Sequence, residues 1–249
     1  PLGTFVGQPF GWRSPFLGVV ALGVSGFPAS AALVPAKLTR AASPGIRAQL
    51  QVLTSPRLLL IYLITAVGYG GNFIAFTFLA PMLNEVTGLS AGAISLVMLL
   101  YGASVAVGNI AGGKPADRIG AVPSLTLIFA GLAVSLVALG AALSSPVAAI
   151  AVAAFWGGFA FANVPPLQSY VVQVAREVAP GAVDVASGLN IGAFNLGIAG
   201  GAWAGGLVVE GVGLAAAPYI AGAVVVVGIV LVRLSGRLNA TNPQAVAAE

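Results

Sequence analysis

The chain has 249 residues, of which 59% are hydrophobic and only 6% charged, with a mean hydropathy of +1.03. A soluble domain carries about 25% charged residues, so this composition excludes a water-facing globule and requires a bilayer as solvent. With no Cys and no His, disulfides, thiol nucleophiles, Cys/His metal sites and histidine acid–base chemistry are excluded, and neither a metal nor a cofactor is expected.

In chain order, the opening Pro1-Leu2-Gly3-Thr4 has no Met and no basic-then-apolar leader, so the expectation is that more protein lies upstream. A helix needs about 20 apolar residues to cross the hydrocarbon core, and seven segments qualify. The first, Pro15–Pro35, is diluted by Ser25, Pro28 and Ser30. A long, basic, loop-like connection over 36–57 follows. The remaining spans are Leu58–Leu83, Ala91–Gly112, Pro123–Leu143, Pro146–Val172, Val185–Val209 and Ala215–Val232, at compact spacing. The expected organisation is 1–35, a linker at 36–57, a six-helix domain at 58–235 and a tail at 236–249. The fold class is an all-α integral membrane bundle, one helix plus six.

Charge sets the expected orientation. Lys37, Arg40, Arg47, Arg57, Lys114, Arg118, Arg176, Arg233 and Arg237 fall on one side, and Arg13 alone on the other. This bias predicts a cytoplasmic C-terminus by the positive-inside rule. It also accounts for the net charge of +4 without a nucleic-acid partner. The division into one span plus six matches one half of a two-half transporter with inverted repeats.

After the third span comes Gly113-Lys114-Pro115-Ala116-Asp117-Arg118-Ile119-Gly120, of the form G-x-x-x-D-R-x-G, read as a tight cytoplasmic turn. Gly108, Gly112 and Gly113 allow close helix approach, and Gly120 permits a positive φ. Asp117 suits a helix N-terminus, and Arg118 offers a fork for a carboxylate or helix-end carbonyls. Asp184 is read as the N-cap of the following span, or as a contact for an equivalent loop in another half. Arg176 and Glu177 read as a solvated pair.

This octapeptide resembles the loop signature of the Major Facilitator Superfamily, between the second and third helix of each six-helix half. It lacks the basic residues that often follow the last glycine. Pro1-Leu2-Gly3-Thr4-x-x-Gly7-Gln8-x-x-Gly11-Trp12-Arg13 resembles the outer end of a fifth helix running into the sixth. Ser187-x-x-Asn190-x-Gly192-x-x-Asn195 with Gly197, Gly201 and Gly205 resembles helix eleven of the 12-span drug/proton antiporter and arabinose-efflux-permease-like group. The resemblance covers essentially the whole chain, as helices six to twelve. It implies a major-facilitator-type bundle in a bacterial inner membrane, with a small-molecule substrate, the lipid bilayer and an amino-terminal half as partners. The proton gradient is the implied energy source.

Substrate in such a transporter sits near the midplane between halves. Tyr62, Tyr69, Asn72 and Phe76 share a helical face, and Trp156, Phe159, Asn163 and Tyr170 form a second stripe, on a helix that Pro165 and Pro166 interrupt, freeing carbonyls for protein or a wet cavity. Ser187, Asn190, Phe194 and Gly197 share a third. Each Asn is open to two readings, cavity lining or an interhelical hydrogen bond. Gly197, Gly201 and Gly205, four apart, read as a packing ridge. No Asp or Glu falls mid-span, so a coupling acid is expected in the other half, or the protein is an uncoupled facilitator. The uncharged set suits a neutral or amphiphilic substrate, drug or sugar-like. The rival classes are a membrane enzyme, which would need a carboxylate, nucleophile or metal cluster, a seven-span receptor, and a channel.

Overall fold

The structure, a computed structural model, describes Gly11, residues 13–33 and residues 45–240, apart from the side chains of Ala29 and Ala240. The 1–10 and Trp12 portions of the fifth-helix resemblance, residues 34–35 at the end of the first span, linker residues 36–44 with Lys37 and Arg40, and tail residues 241–249 lie outside the described residues. The chain divides into two units, Pro1–Ser43 and Pro44–Glu249. The described residues contain no strand, and seven of their helical segments are long and apolar enough to cross a membrane.

In the first unit, α1 spans Ser14–Leu33 and carries Phe16, Leu22 and Phe27 exposed on its surface. Apolar side chains on every face are what a membrane-spanning helix presents to lipid.

The second unit begins with α2, Ile46–Thr54, inside the segment expected to be a loop. This helix is amphipathic and buries Val52, which ties it to the bundle. Ser55 is extended, and Pro56 at the first helical position starts α3, Pro56–Phe76. A break at Thr77–Phe78 leads to a short helix, Leu79–Pro81, and a π turn, Met82–Val86. Next, α4 covers Ala91–Ile119, its first turn capped by the Ser90 hydroxyl accepting from the Ala93 N–H at 3.3 Å.

The expected tight turn at Gly113–Gly120 is corrected here. Helix α4 continues through Pro115 to Ile119, and only Gly120, at φ 84°, turns the chain into α5, Ala121–Ala142. A positive φ is cheap only for glycine, so one residue does the work the whole octapeptide was expected to do.

The span over 146–178 is two helices, α6 (Pro146–Ala160) and α7 (Val164–Val178). Pro165 and Pro166 supply no amide hydrogen, so the ladder stops at Phe161–Asn163 and restarts with both prolines in the first turn of α7. Then α8 runs Val183–Gly211 and α9 runs Ala217–Ala240, beyond the expected end at 232. Asp184 is not the N-cap of α8: Ala182 holds that position, and Asp184 lies in the first turn, where the macrodipole still favours an anion.

Helix α3 is the hub. It packs against α8 and α9; α9 packs on α5, α5 on α6, and α6 on α4. Helix α7 reaches α8, α3, α4 and α5. Of the long apolar spans in this unit α3 is the most buried and α4 the least. The fully buried side chains include Trp156, Phe129, Leu58, Ile61 and Ile64, and no Asp, Glu, Lys or Arg is buried among the described residues.

Candidate functional site

Two groups of polar side chains lie inside the six-helix unit, and a third lies at its basic end. The first joins α3, α4 and α6. The Trp156 indole N–H donates to Asn72 Oδ1 at 2.9 Å, and both residues are fully buried. Phe76 stacks on Tyr101 with ring centroids 5.2 Å apart, and Tyr101 meets Trp156 edge-on at 5.1 Å. Tyr69 continues the cluster, edge-on to Phe194 at 4.5 Å and to Phe161 at 5.5 Å. Edge-to-face pairs at such separations contribute about 0.5–1.5 kcal/mol beyond area burial. The group is not fully satisfied. Asn72 Nδ2, the Tyr101 hydroxyl and both side-chain polar atoms of Asn163 are buried without a hydrogen-bond partner. Such an atom costs about 1–3 kcal/mol.

The second group joins α3, α7 and α8 in a continuous chain of hydrogen bonds. The Thr65 hydroxyl donates to Asn190 Oδ1 at 2.7 Å, Asn190 Nδ2 donates to Gln168 Oε1 at 3.0 Å, and Gln168 Nε2 donates to the Ser187 hydroxyl. Each amide donor is matched by an acceptor on another helix.

Of the residues read from the sequence, the structure brings Tyr69, Asn72, Phe76 and Trp156 together. Asn190 belongs to the second group, and Asn163 stands in the break between α6 and α7. Phe159 is elsewhere: it pairs with Phe155 at 5.1 Å, and its ring occupies the space where a Cβ on Gly131 of α5 would fall. The stripe expected from Trp156 to Tyr170 is thus not one face, because the break at Phe161–Asn163 interrupts the helical register. Asn72, Asn163, Trp156 and Asn190 are all fully buried within this unit. For Asn72 and Asn190 the contact made is an interhelical hydrogen bond.

Both groups sit beside glycine crossings. A Cβ on Gly108 or Gly112 of α4 would strike the carbonyl of Gly158 or Ala162. On α8, a Cβ on Gly197 or Gly205 would lie 2.6 Å and 2.7 Å from the carbonyl oxygens of Ala66 and Ile74, and one on Gly201 would strike the Gly70 carbonyl. Only residues without a side chain let backbones approach this closely.

The third group was missed in the sequence. Arg57, assigned to the linker, is the first charged residue of α3 and forms a 2.6 Å ion pair with Glu177 at the end of α7. This corrects the Arg176–Glu177 pairing. Arg57 Nε also donates to Asn239 Oδ1 at 2.6 Å, Asn239 Nδ2 donates to the Tyr170 hydroxyl, and that hydroxyl lies 2.8 Å from Ser235 Oγ. Three helix ends, of α3, α7 and α9, are joined. The available signal was that Arg57 and Glu177 both end spans on the same expected side. Asp117, Arg118 and Asp184 are exposed. Asp117 borders a hollow of about 550 Å³ that also touches Gly120, Ser169, Gln173, Arg176 and Glu177. Gly113 faces Pro165 of α7, with room for a Cβ at ordinary contact, 3.5 Å away.

A helical bundle with no buried charge among the described residues, polar inside only at amides, hydroxyls and an indole and basic at one end, fits a membrane transport protein. The profile of the Major Facilitator Superfamily matches residues 1–184, and the chain belongs to that family. It is 43% identical over 231 residues to an uncharacterized MFS-type transporter, YtbD, of Bacillus subtilis, covering 93% of this chain and 58% of that protein. It is 37% identical over 245 residues to the inner membrane transport protein YdhP of Escherichia coli K12, covering 95% and 60% respectively. A probable sugar efflux transporter of Mannheimia succiniciproducens is 30% identical over 244 residues, 94% of this chain and 58% of that protein. The chain thus spans about 60% of the length of these curated relatives. Family membership sets aside the receptor, channel and enzyme readings.

Proposed function

We propose that this chain forms helices six to twelve of a secondary transporter that exports a neutral or amphiphilic small molecule by alternating access. The observation that carries the reading is the charge-free interior: eight buried polar residues, all Ser, Thr or Asn, and no buried charge among the described residues. A permanently ionic substrate would need a counter-charge near the midplane, whereas amides, hydroxyls and rings suit a sugar-like or aromatic solute. The relative named as a probable sugar efflux transporter supports export and the sugar-like alternative. The inner-membrane relative supports a bacterial inner membrane. The basic end, with Arg57, Lys114, Arg118, Arg176, Arg233 and Arg237, faces the cytoplasm in this proposal.

Proton coupling in this scheme is supplied by an acid outside these six helices. The uncoupled alternative draws on the same observation, the lack of a buried carboxylate here. Proteoliposomes containing the full-length transporter decide between them. Antiport predicts that substrate flux rises severalfold with an imposed pH gradient; flux unchanged by the gradient favours the facilitator. For the cavity assignment of Asn163 and Trp156, Asn163→Ala is expected to lower transport at unchanged thermal stability, and Trp156→Phe to lower it at a stability cost below about 1 kcal/mol. Wild-type transport in both removes that assignment.

A further inference from the structure

At the basic end of the six-helix unit, a cavity of about 580 Å³ opens between the start of α5, the end of α7 and the last turns of α9. Three arginines line it, Arg57, Arg233 and Arg237, against one acid, Glu177. Glu177 is engaged by Arg57, and the lining carries more basic than acidic side chains. Gly120, Ala121 and Val122 bring the N-terminus of the 22-residue α5 to the same wall, with no side chain capping it. Unpaired amides and the positive end of the macrodipole add to the attraction for an anion.

The surroundings are apolar. Val122, Pro123 and Val174 form part of the lining. From the rim, Leu234, Val230 and Val227 of α9 are exposed in a row, spaced by four and three residues, and lead away from the basic end along the helix surface. A positive pocket at a helix end, continuous with an apolar stripe pointing into the hydrocarbon, matches a molecule with an anionic head and acyl chains. Basic pockets between membrane helices on the cytoplasmic side bind phosphate-bearing lipid headgroups.

We propose that this cavity is a binding site for the phosphate headgroup of an anionic phospholipid, with its acyl chains lying along Val227, Val230 and Leu234. Arg233 and Arg237 hold the phosphate. Arg57 stays in its bridge to Glu177 and Asn239 and adds field rather than a direct contact. The proposal rests on the membrane-spanning reading and on the basic end lying at a headgroup layer. It does not depend on which substrate is carried.

Native mass spectrometry of the full chain in detergent tests it, with phosphatidylglycerol, phosphatidylcholine and inorganic phosphate as probes. Phosphatidylglycerol should bind about tenfold or more tightly than phosphatidylcholine. Each of Arg233→Gln and Arg237→Gln should weaken phosphatidylglycerol about fivefold, the worth of one basic residue near a membrane surface. Lys114→Gln, at the same end but outside the cavity, should leave binding unchanged. Circular dichroism melting of each variant keeps loss of fold separate from loss of binding, and Arg→Lys at either position should recover most of the affinity in a folded protein. Equal retention of the two lipids, or equal weakening by Lys114→Gln, overturns the site in favour of diffuse surface charge. Displacement of phosphatidylglycerol by millimolar inorganic phosphate overturns the lipid assignment in favour of a soluble anion.

Discussion

The α3–α8 and α4–α6 crossings use the same device and finish differently. Each is a close approach of backbones over glycine: Gly197, Gly201 and Gly205 in one, Gly108 and Gly112 in the other. Each has amide side chains nearby. Beside α3–α8, Thr65, Asn190, Gln168 and Ser187 satisfy one another. Beside α4–α6, the Trp156–Asn72 bond is made, but Asn72 Nδ2, the Tyr101 hydroxyl and Asn163 are left unpaired. Closed polar networks rigidify, and partly satisfied ones carry a standing cost. The first region is therefore the better satisfied of the two, and the second holds polar groups with hydrogen-bonding capacity left over.

The packing half of this comparison breaks first. Gly201→Val and Gly108→Val each place a side chain on a facing backbone, so each is expected to destabilise the unit by about 3 kcal/mol, the upper end for overpacking. Thermal denaturation in detergent measures this, and a large effect at only one position would show that the crossings are not equivalent.

The polar half is sharpened by one substitution on each side. Asn190→Leu leaves Thr65 and Gln168 without their shared partner and should cost about 1–2 kcal/mol. Asn163→Leu removes an amide that has no partner and should be neutral or stabilising. If Asn163→Leu destabilises as much as Asn190→Leu, the contrast fails. Trp156→Phe keeps the ring and deletes only the donor to Asn72, for which about 0.6 kcal/mol is expected. A comparably small effect is expected at the basic end. The Arg57–Glu177 pair is partly exposed, at 20% and 39% of side-chain surface. A double-mutant cycle with Arg57→Gln and Glu177→Gln should give a coupling below about 1 kcal/mol that fades with salt.

Much of the fold was legible because lipid imposes a simple rule. Any stretch of about 20 apolar residues must be a helix that satisfies its own backbone, and the membrane-capable helices fall on the seven stretches read from composition. Departures from those stretches are local. The α6–α7 break falls just before Pro165 and Pro166, the residues read as interrupting that helix. The extension of α4 through Pro115 ran against the turn reading of a glycine- and charge-rich octapeptide. Helical spacing placed Phe159 beside Trp156, yet the ring packs toward Gly131 of α5, because periodicity gives an angle around one axis and says nothing about which neighbour stands there.

By itself, the sequence determined that this is an all-helical membrane protein of the Major Facilitator Superfamily, since hydropathy, charge bias and the Gly113–Gly120 octapeptide each depend on residues close in the chain. Only the tertiary structure decided that Asn72 meets Trp156, that Asn190 meets Thr65, and that Arg57 rather than Arg176 holds Glu177. Those partners are 84, 125 and 120 residues apart. Contacts at such separations follow from which helices pack together, and the backbone carbonyls facing the glycines, which carry no sequence label of their own, set that packing.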